Sequence, residues 1–377
     1  MRPVLIAVTV LSTALAPAHA RPAWSVQQTP GLDRVENLLY GVSCAAATAC
    51  TAVGGAIGGH KQIPVNLAEA WNGKSWTLQH VPEPPGSSYS ILQGVSCTSP
   101  TACTAVGGDS AGTVAESWNG TRWSVQPTPT LTVAFSSQLD GVSCLSADAC
   151  TAVGWYYRLV GNGLKAFSLA EAWNGTAWSV QPTPNPAGSA GTFLGGVSCT
   201  SPAACTAVGR SDKGKNGDTL TLAEAWNGER WSIQPTPGPA GAAASALAHV
   251  SCTAATACTA VGQTSAGSAE HALAEAWDGT SWSVQATPAI GGAAAYLTDV
   301  SCTAATACTA VGGRGSTDTL AEGWNGTRWS VQATPNPLTA GETFFEGVSC
   351  TSATACTAAG YYDSTGRVLT LAERHSG

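Results

Sequence analysis

Cysteines are the residues whose type and spacing most directly suggest chemistry in this sequence. They form seven pairs with five residues between partners, and each first cysteine ends the sequence Val-Ser-Cys. A zinc site is one interpretation, but zinc ligands are usually roughly two to four residues apart and four must converge. Disulfides across hairpins are the simpler interpretation for an exported chain, so we predict no metal and no cofactor. The predicted disulfides are Cys44–Cys50, Cys97–Cys103, Cys144–Cys150, Cys199–Cys205, Cys252–Cys258, Cys302–Cys308 and Cys350–Cys356.

A glutamate recurs with the same regularity. Two carboxyl groups on either side of a glycosidic bond can hydrolyse it. Equivalent positions in separate repeats cannot all be catalytic, however, so we expect structural carboxyl groups. Buried carboxyls need hydrogen-bond donors, which could be turn amides, a Trp N–H or the serine of Val-Ser-Cys. The recurring positions are Glu69, Glu116, Glu171, Glu224, Glu275, Glu322 and Glu373.

Two aromatic stretches depart from the regular pattern and form the candidate ligand site. They read GWYYRLVGNGLK from Gly154 and GYYDSTGR from Gly360. Exposed aromatic rings beside arginine suit sugar rings or the hot spots of a protein interface. The alternative is that these rings extend a strand and pack under their own loop. The candidate binding residues are Trp155, Tyr156, Tyr157, Arg158, Arg210, Arg314, Tyr361, Tyr362, Asp363 and Arg367.

The elements that must position these side chains are repeats. The first cysteines recur about every 50 residues, a period typical of propeller blades or helical arrays. Each repeat contains four short segments rich in β-branched or aromatic residues, with Gly, Asn and Pro between them. Asn-Gly between the third and fourth segments is a hairpin signal. No helical period is sustained, so each repeat is predicted to be a four-stranded antiparallel blade.

The last repeat lacks a fourth strand, and the segment RPAWSVQ from Arg21 resembles that strand. We therefore predict an all-β fold, a seven-bladed β-propeller closed by an N-terminal strand that completes the last blade. Such a seam removes the open edge of the sheet. The paired tryptophans that flank each Asn-Gly turn are expected to pack blade against blade, with a ring of sugar-binding aromatics as the alternative.

The blades resemble known propeller families. Gly-Gly after the second strand, followed by AEAWNG and a Trp-led strand, is similar to a kelch blade, as at Gly54-Gly55 and Gly107-Gly108. The spacing from Gly120 to Trp123 partly resembles the Asp-box turn of sialidase-like propellers, although Trp118 occupies the place of its Asp. The resemblance implies the fold and no particular activity.

The N-terminus and the composition indicate an exported protein. Residues 1–20 carry one charge, an apolar run and the ending AHA, which is typical of a secretory signal peptide. Residues 21–377 would then form one propeller. Only 10% of residues are charged and the net charge is −7, which argues against nucleic acid as a partner. No later stretch predicts a membrane span. We expect a secreted bacterial monomer.

Loop variation favours a binding function on one face of the scaffold. The connections after the second and fourth strands differ in length and chemistry between repeats, whereas the others are short and uniform. We predict a non-catalytic binding or interaction module whose ligand is an extracellular or cell-wall glycan or a protein. The alternative is a glycan-processing enzyme, a sialidase-like glycosidase, for which Arg and Tyr residues of different blades would have to converge. No catalytic residues are predicted, because a nucleophile elbow is missing and all cysteines are expected to be paired.

Overall fold

The computed structural model describes residues 23–58, 63–213, 218–267, 269–337 and 341–376. The predicted signal peptide, residues 1–20, lies outside these ranges. Every regular element within them is a β-strand, and the first is β1 (Ala23–Gln27). None of the described segments is a helix that could span a membrane. The remaining strands group into the seven repeats that the sequence predicts, and they are called blades 1 to 7 below.

Blades 1 to 4 each contain four consecutive antiparallel strands. Blade 1 consists of β2 (Glu36–Ala46), β3 (Ala49–Gly58), β4 (Ile63–Trp71) and β5 (Trp76–Gln79). Blade 2 consists of β6 (Ser90–Ser99), β7 (Ala102–Asp109), β8 (Thr113–Trp118) and β9 (Trp123–Gln126). Blade 3 consists of β10 (Ser136–Ser146), β11 (Ala149–Val160), β12 (Gly163–Trp173) and β13 (Trp178–Gln181). Blade 4 consists of β14 (Ser189–Ser201), β15 (Ala204–Lys213), β16 (Asp218–Trp226) and β17 (Trp231–Gln234).

Blades 5 and 6 repeat this order, and blade 7 takes its fourth strand from the start of the chain. Blade 5 consists of β18 (Ala244–Ala254), β19 (Ala257–Ala266), β20 (Ala269–Trp277) and β21 (Trp282–Gln285). Blade 6 consists of β22 (Ala295–Ala304), β23 (Ala307–Arg314), β24 (Asp318–Trp324) and β25 (Trp329–Gln332). Blade 7 consists of β26 (Thr343–Ser352), β27 (Ala355–Ser364), β28 (Arg367–Ser376) and β1.

Strand β1 pairs with β28 in antiparallel register, as the sequence predicts. Trp24 lies opposite His375, and its indole is buried beside the Phe345 ring. Its Nε1 donates a hydrogen bond of 2.8 Å to Gln332 Oε1 of blade 6. Blade 7 also contacts blade 1, because Ser349 Oγ accepts a 2.9 Å hydrogen bond from Cys44 N.

The inner strand of each blade lies next to the inner strands of both neighbouring blades. The serine of each Val-Ser-Cys accepts a hydrogen bond of 2.9–3.0 Å from the first-cysteine amide of the following blade. All seven of these bonds are present. The recurring serine therefore links inner strands to one another and is not a partner of the recurring glutamate, which corrects one of the sequence-based expectations.

All seven predicted disulfides are present. In each blade the two cysteines lie directly opposite in the register of the first two strands, with Cα atoms 3.9–4.0 Å apart. No cysteine among the described residues is free.

A second recurring residue, the glycine of the Ala-Val-Gly sequence, is required by the close approach of the inner strand. A Cβ on Gly54 would lie 1.9 Å from Leu38 O, so no other residue fits there.

The tryptophan pairs pack the blades together, as predicted. The two indoles of a pair lie 5.6–5.9 Å apart across the Asn-Gly or Asp-Gly turn. The second indole of each blade is buried, and in six of the seven blades it donates from Nε1 to a glutamine of the preceding blade at 2.8–3.0 Å, Trp76 being the exception. This final glutamine of the Ser-Val-Gln segment is therefore an inter-blade acceptor. The pairs are Trp24–Gln332, Trp123–Gln79, Trp178–Gln126, Trp231–Gln181, Trp282–Gln234 and Trp329–Gln285.

The recurring glutamates are buried between blades, and the expected donors are only partly present. Glu171 Oε1 accepts from Thr113 Oγ1 at 3.1 Å, and Glu69 Oε1 accepts from the turn amide of Gly31 at 3.0 Å. Glu322 has no donor on either oxygen among the described residues. Burial raises the pKa of Glu322 to about 7. The prediction of turn-amide donors is thus confirmed for Glu69, whereas the Trp N–H groups donate elsewhere.

Candidate functional site

A central channel between the inner strands forms the candidate site. Each inner strand contains a β-bulge immediately before its Val-Ser-Cys region, and the bulged residue lines the channel. The enclosed part of the channel has a volume of about 300 Å³. The side chain at this position differs strongly from blade to blade, whereas the surrounding residues of the scaffold are nearly the same in every blade. The bulged residues are Tyr40, Gln93, Asp140, Gly195, Ala248, Thr298 and Glu346.

The residue after the bulge is glycine in five blades, and the two exceptions form an ion pair. His249 Nδ1 lies 2.7 Å from Asp299 Oδ1. The carboxylate also accepts hydrogen bonds of 2.7 Å from Val300 N and Val348 N. Burial lowers the pKa of His249, but the charge of Asp299 and its hydrogen bond outweigh burial, so the pKa is raised. Asp299 therefore favours the protonated form of His249.

Aromatic residues of blades 3 and 4 form a first cluster beside the channel. Trp155 and Tyr157 lie on the same face of β11, with their ring centroids 5.1 Å apart. Phe193 of β14 lies 6.1 Å from Trp155 and 6.2 Å from Tyr157, edge-on to both rings. Arg210 places its guanidinium carbon 4.4 Å from the Phe193 ring centre. All three rings are partly exposed, and Arg210 is exposed. We call these four residues the Trp155 cluster.

Asp140 joins the Trp155 cluster to the channel. Its Oδ1 accepts a 2.6 Å hydrogen bond from Gln138 Nε2, and the Trp155 side chain is a further donor. Burial raises the pKa of Asp140 to about 6, while these two hydrogen bonds and the charge of Arg210 oppose the shift. The cluster thus combines aromatic faces with a carboxyl, an amide and a guanidinium group.

A second group of rings lies on blades 6, 7 and 1, around Glu346. Phe344 lies 5.5 Å from Tyr361 and 6.3 Å from Tyr296 between ring centroids. Burial raises the pKa of Tyr361 to about 12, and the nearby charge of Glu346 adds to the shift. Burial and then Glu346 also raise the pKa of Tyr40. We call Tyr40, Tyr296, Phe344, Glu346 and Tyr361 the Glu346 cluster.

Only part of the predicted site converges. Trp155, Tyr157 and Arg210 meet in the Trp155 cluster, and Tyr361 belongs to the Glu346 cluster. Tyr156 and Arg158 point to the other face of their strand. There, Tyr156 stacks on Phe167 at 5.5 Å and Arg158 covers the same ring at 4.3 Å.

The other predicted residues belong to neither cluster. Arg314 pairs with Asp318 of its own hairpin at 3.0 Å. Arg367 donates to the Arg34 carbonyl at 2.6 Å. Tyr362 packs against the core of blade 7, and the backbone of Asp363 pairs across its hairpin. Arginines of different blades therefore do not gather at one point, as a sialidase-like site would require.

Residues 155–168 are strand except for the turn at 161–162, which agrees with the alternative that these aromatic residues extend a strand. Strand β11 continues to Val160 and β12 begins at Gly163, so the aromatics extend a hairpin. The sequence reasoning missed the partners of the cluster, Phe193 and Asp140. The signal for both was available, because each stands just before its Val-Ser-Cys region, where the repeats differ most.

Comparisons with solved structures identify the fold. A structure of YCF48 bound to D1 peptide is 12% identical, with 94% of this chain and 97% of that chain covered at a TM-score of 0.57. A structure of U3-55K is 10% identical, covering 94% and 99% at 0.59. A polysaccharide lyase of family PL25, an ulvan lyase bound to a GlcA–Rha3S saccharide, is 8% identical, covering 91% and 95% at 0.57. No protein-family model and no curated relative matches the chain.

These likenesses, together with the repeated four-stranded blades, establish an all-β propeller of about seven blades. The identities are too low to indicate more than the fold. The resemblance to kelch and Asp-box repeats remains a prediction from the sequence.

Proposed function

We propose that this protein is an exported, monomeric glycan-binding module whose ligand lies on the Trp155 cluster at the central channel. The proposal includes one closed ring formed by residues 21–377. Pairing of β1 with β28 and the hydrogen bond between blades 7 and 1 support closure. Seven disulfides support an oxidising compartment outside the cytoplasm.

The observation that carries the proposal is the meeting of three partly exposed rings with polar groups at one edge of the channel. A scaffold role does not require this arrangement, since the corresponding second-strand position is glycine in three blades, at Gly55, Gly108 and Gly313. Ligand sites combine apolar and aromatic walls with a few oriented polar groups. Gln138, Asp140 and Arg210 supply such groups here.

A glycan fits this chemistry better than an apolar ligand. The faces of sugar rings carry C–H groups that pack on aromatic rings, while their hydroxyl groups need hydrogen-bond partners at the ring edges. Trp155 and Tyr157 offer the aromatic surface, and Asp140 and Arg210 offer an acceptor and a donor. Trp155, Tyr157 and Asp140 are partly exposed and Arg210 is exposed, so solvent reaches all four side chains.

A glycan-processing enzyme is the second candidate, because carboxyl groups with raised pKa values face the same channel. Burial raises the pKa of Asp140 to about 6 and that of Glu346 to about 7, values that suit a general acid. A tyrosine nucleophile is less suitable, since the pKa of Tyr361 is raised to about 12. If the protein were such an enzyme, Asp140→Asn would abolish the cleavage of a bound oligosaccharide.

The test is a glycan array, including bacterial wall polysaccharides, probed with oxidised protein of residues 21–377. We expect a selective hit that the Trp155→Ala/Tyr157→Ala double variant loses by at least about tenfold in affinity, equivalent to about 1.4 kcal/mol. The matched control is Trp173→Ala, which removes an indole from the outer part of the same blade. Absence of any hit with folded protein would overturn the glycan proposal and favour a protein ligand. Loss in both variants would place the site elsewhere.

A further inference from the structure

The Glu346 cluster contains a carboxyl group without a partner. Glu346 is the bulged residue of β26 and lines the channel. No hydrogen bond and no ion pair reaches its carboxyl group from the described residues, whereas Asp140 and Asp299 at related positions both have donors. Burial alone raises the pKa of Glu346 to about 7. A partly buried carboxyl that opens on a cavity and lacks a counter-charge is suited to a cationic ligand.

Aromatic side chains of three blades lie close enough to this carboxyl for its charge to act on Tyr40, Tyr296 and Tyr361. Tyr40 lines the same channel on β2, and Phe344 precedes Glu346 by two residues on β26. Tyr361 lies opposite Phe344 in the register with β27, and Tyr296 follows on the neighbouring β22. All four rings are partly exposed. Aromatic rings attract cations through their negative faces, and quaternary ammonium ligands are bound by cages of such rings.

The neighbouring charges are consistent with a cation at this point. The groups that influence Tyr361 and Tyr296 are acidic or phenolic, including Glu346 and Glu342. His249, the basic side chain among the described residues that line the channel, is already paired with Asp299 at 2.7 Å. An ammonium group beside Glu346 would favour the ionised carboxylate, so binding and ionisation would support each other.

We propose that the Glu346 cluster is a binding site for an organic ammonium group and that the ligand is an amino sugar with a free amine. The identity of the ligand as a sugar rests on the proposed glycan function, whereas the ammonium site does not. Glu346 forms the ion pair and the rings of Phe344 and Tyr361 cover the cation. The Trp155 cluster on the opposite blades would contact further sugar units.

The first experiment compares glucosamine tetramer, its N-acetylated analogue and cellotetraose by titration calorimetry on the oxidised full propeller. The wild type should bind the glucosamine tetramer at least about tenfold more tightly than the acetylated form, since acetylation removes the charge. Glu346→Gln, which keeps the size of the side chain, should abolish this preference. Equal binding of both tetramers, or a preference that survives in Glu346→Gln, would overturn the proposal.

Tetramethylammonium tests the cation site independently of any sugar. NMR titration should show saturable binding by the wild type, loss in Glu346→Gln and in Tyr361→Leu, and retention in Trp173→Ala, which removes an outer indole of another blade. Binding of this probe without any glycan binding would support the ammonium site and reject the glycan function. No binding of the probe or of glucosamine would reject the site, and a lysine peptide that binds in place of glucosamine would reject the amino sugar.

Discussion

At the scale of single residues, the final glutamine of each Ser-Val-Gln segment holds the indole of the next blade. Trp178 Nε1 donates to Gln126 Oε1 at 3.0 Å, and the indole is buried. Gln27, at the equivalent position of β1, is an exception, because Trp76 Nε1 has no partner among the described residues. The Trp–Gln pair is therefore hydrogen-bonded at Trp178 and Gln126 but not at Trp76 and Gln27.

We expect Gln126→Leu to lower the free energy of unfolding by about 1–3 kcal/mol, because it leaves a buried N–H group unsatisfied. Gln27→Leu, which removes no such bond, should have a smaller effect. Chemical denaturation of both variants measures the difference. Equal losses in the two variants would show that packing, and not the hydrogen bond, is what the glutamine contributes.

The buried glutamates predict a pH dependence of stability. Burial raises the pKa of Glu322 to about 7 from an ordinary value of 4.5, so the folded state holds its proton more tightly. This contribution to stability is fully present below pH 4.5 and is lost as pH rises through about 7. We expect the melting temperature to fall between pH 5 and pH 8, and Glu322→Gln to reduce that fall. If the melting temperature of Glu322→Gln falls with pH as much as that of the wild type, Glu322 is not a source of the pH dependence.

The role of a residue could be predicted from the sequence where the same residue recurs in every repeat. Cysteine spacing gave the disulfides, because seven identical pairs leave few other partners. The Trp155 cluster was found only in part, since Phe193 and Asp140 are distant in sequence and join Trp155 through pairing of strands and blades. Side-chain direction also mattered, because Tyr156 is adjacent to Trp155 yet faces the opposite side of β11.

At the scale of elements, each blade is fastened by a disulfide between its first two strands. The cysteines have a sequence separation of 6, and the chain-entropy model gives about 2.4 kcal/mol for such a short loop. We expect Cys252→Ala/Cys258→Ala to lower the free energy of unfolding by about that amount without changing the fold. Calorimetry and circular dichroism provide the measurement. A variant as stable as the wild type would show that strand pairing alone fixes the hairpin.

Strand number was predictable from the turn residues, whereas strand length was not. Asn-Gly or Asp-Gly and the Pro-rich segments mark where strands stop in the first six repeats. The hairpin of β11 and β12 has no such mark before Gly161, so its extension looked like a loop. The extension bears on the proposed site, because it places Trp155 and Tyr157 on a strand and not on a loop.

At the scale of the whole molecule, β1 joins the two ends of the chain. Removing residues 21–27 would expose the edge of β28 and leave Phe345 without the Trp24 indole. We expect this truncation to lower the melting temperature strongly and a synthetic peptide of residues 21–27 to restore it. A Trp24→Ala peptide is the matched control and should restore little. A truncated protein with wild-type stability would contradict the closed ring.

A crystal structure of the oxidised protein with the array-selected glycan tests most directly whether a ligand binds at the channel through the Trp155 cluster. We predict a sugar ring packed on Trp155 or Tyr157, with its hydroxyl groups bonded to Asp140 or Arg210. A glycan bound on the outer tryptophans, with the channel free of ligand, would contradict binding at the Trp155 cluster.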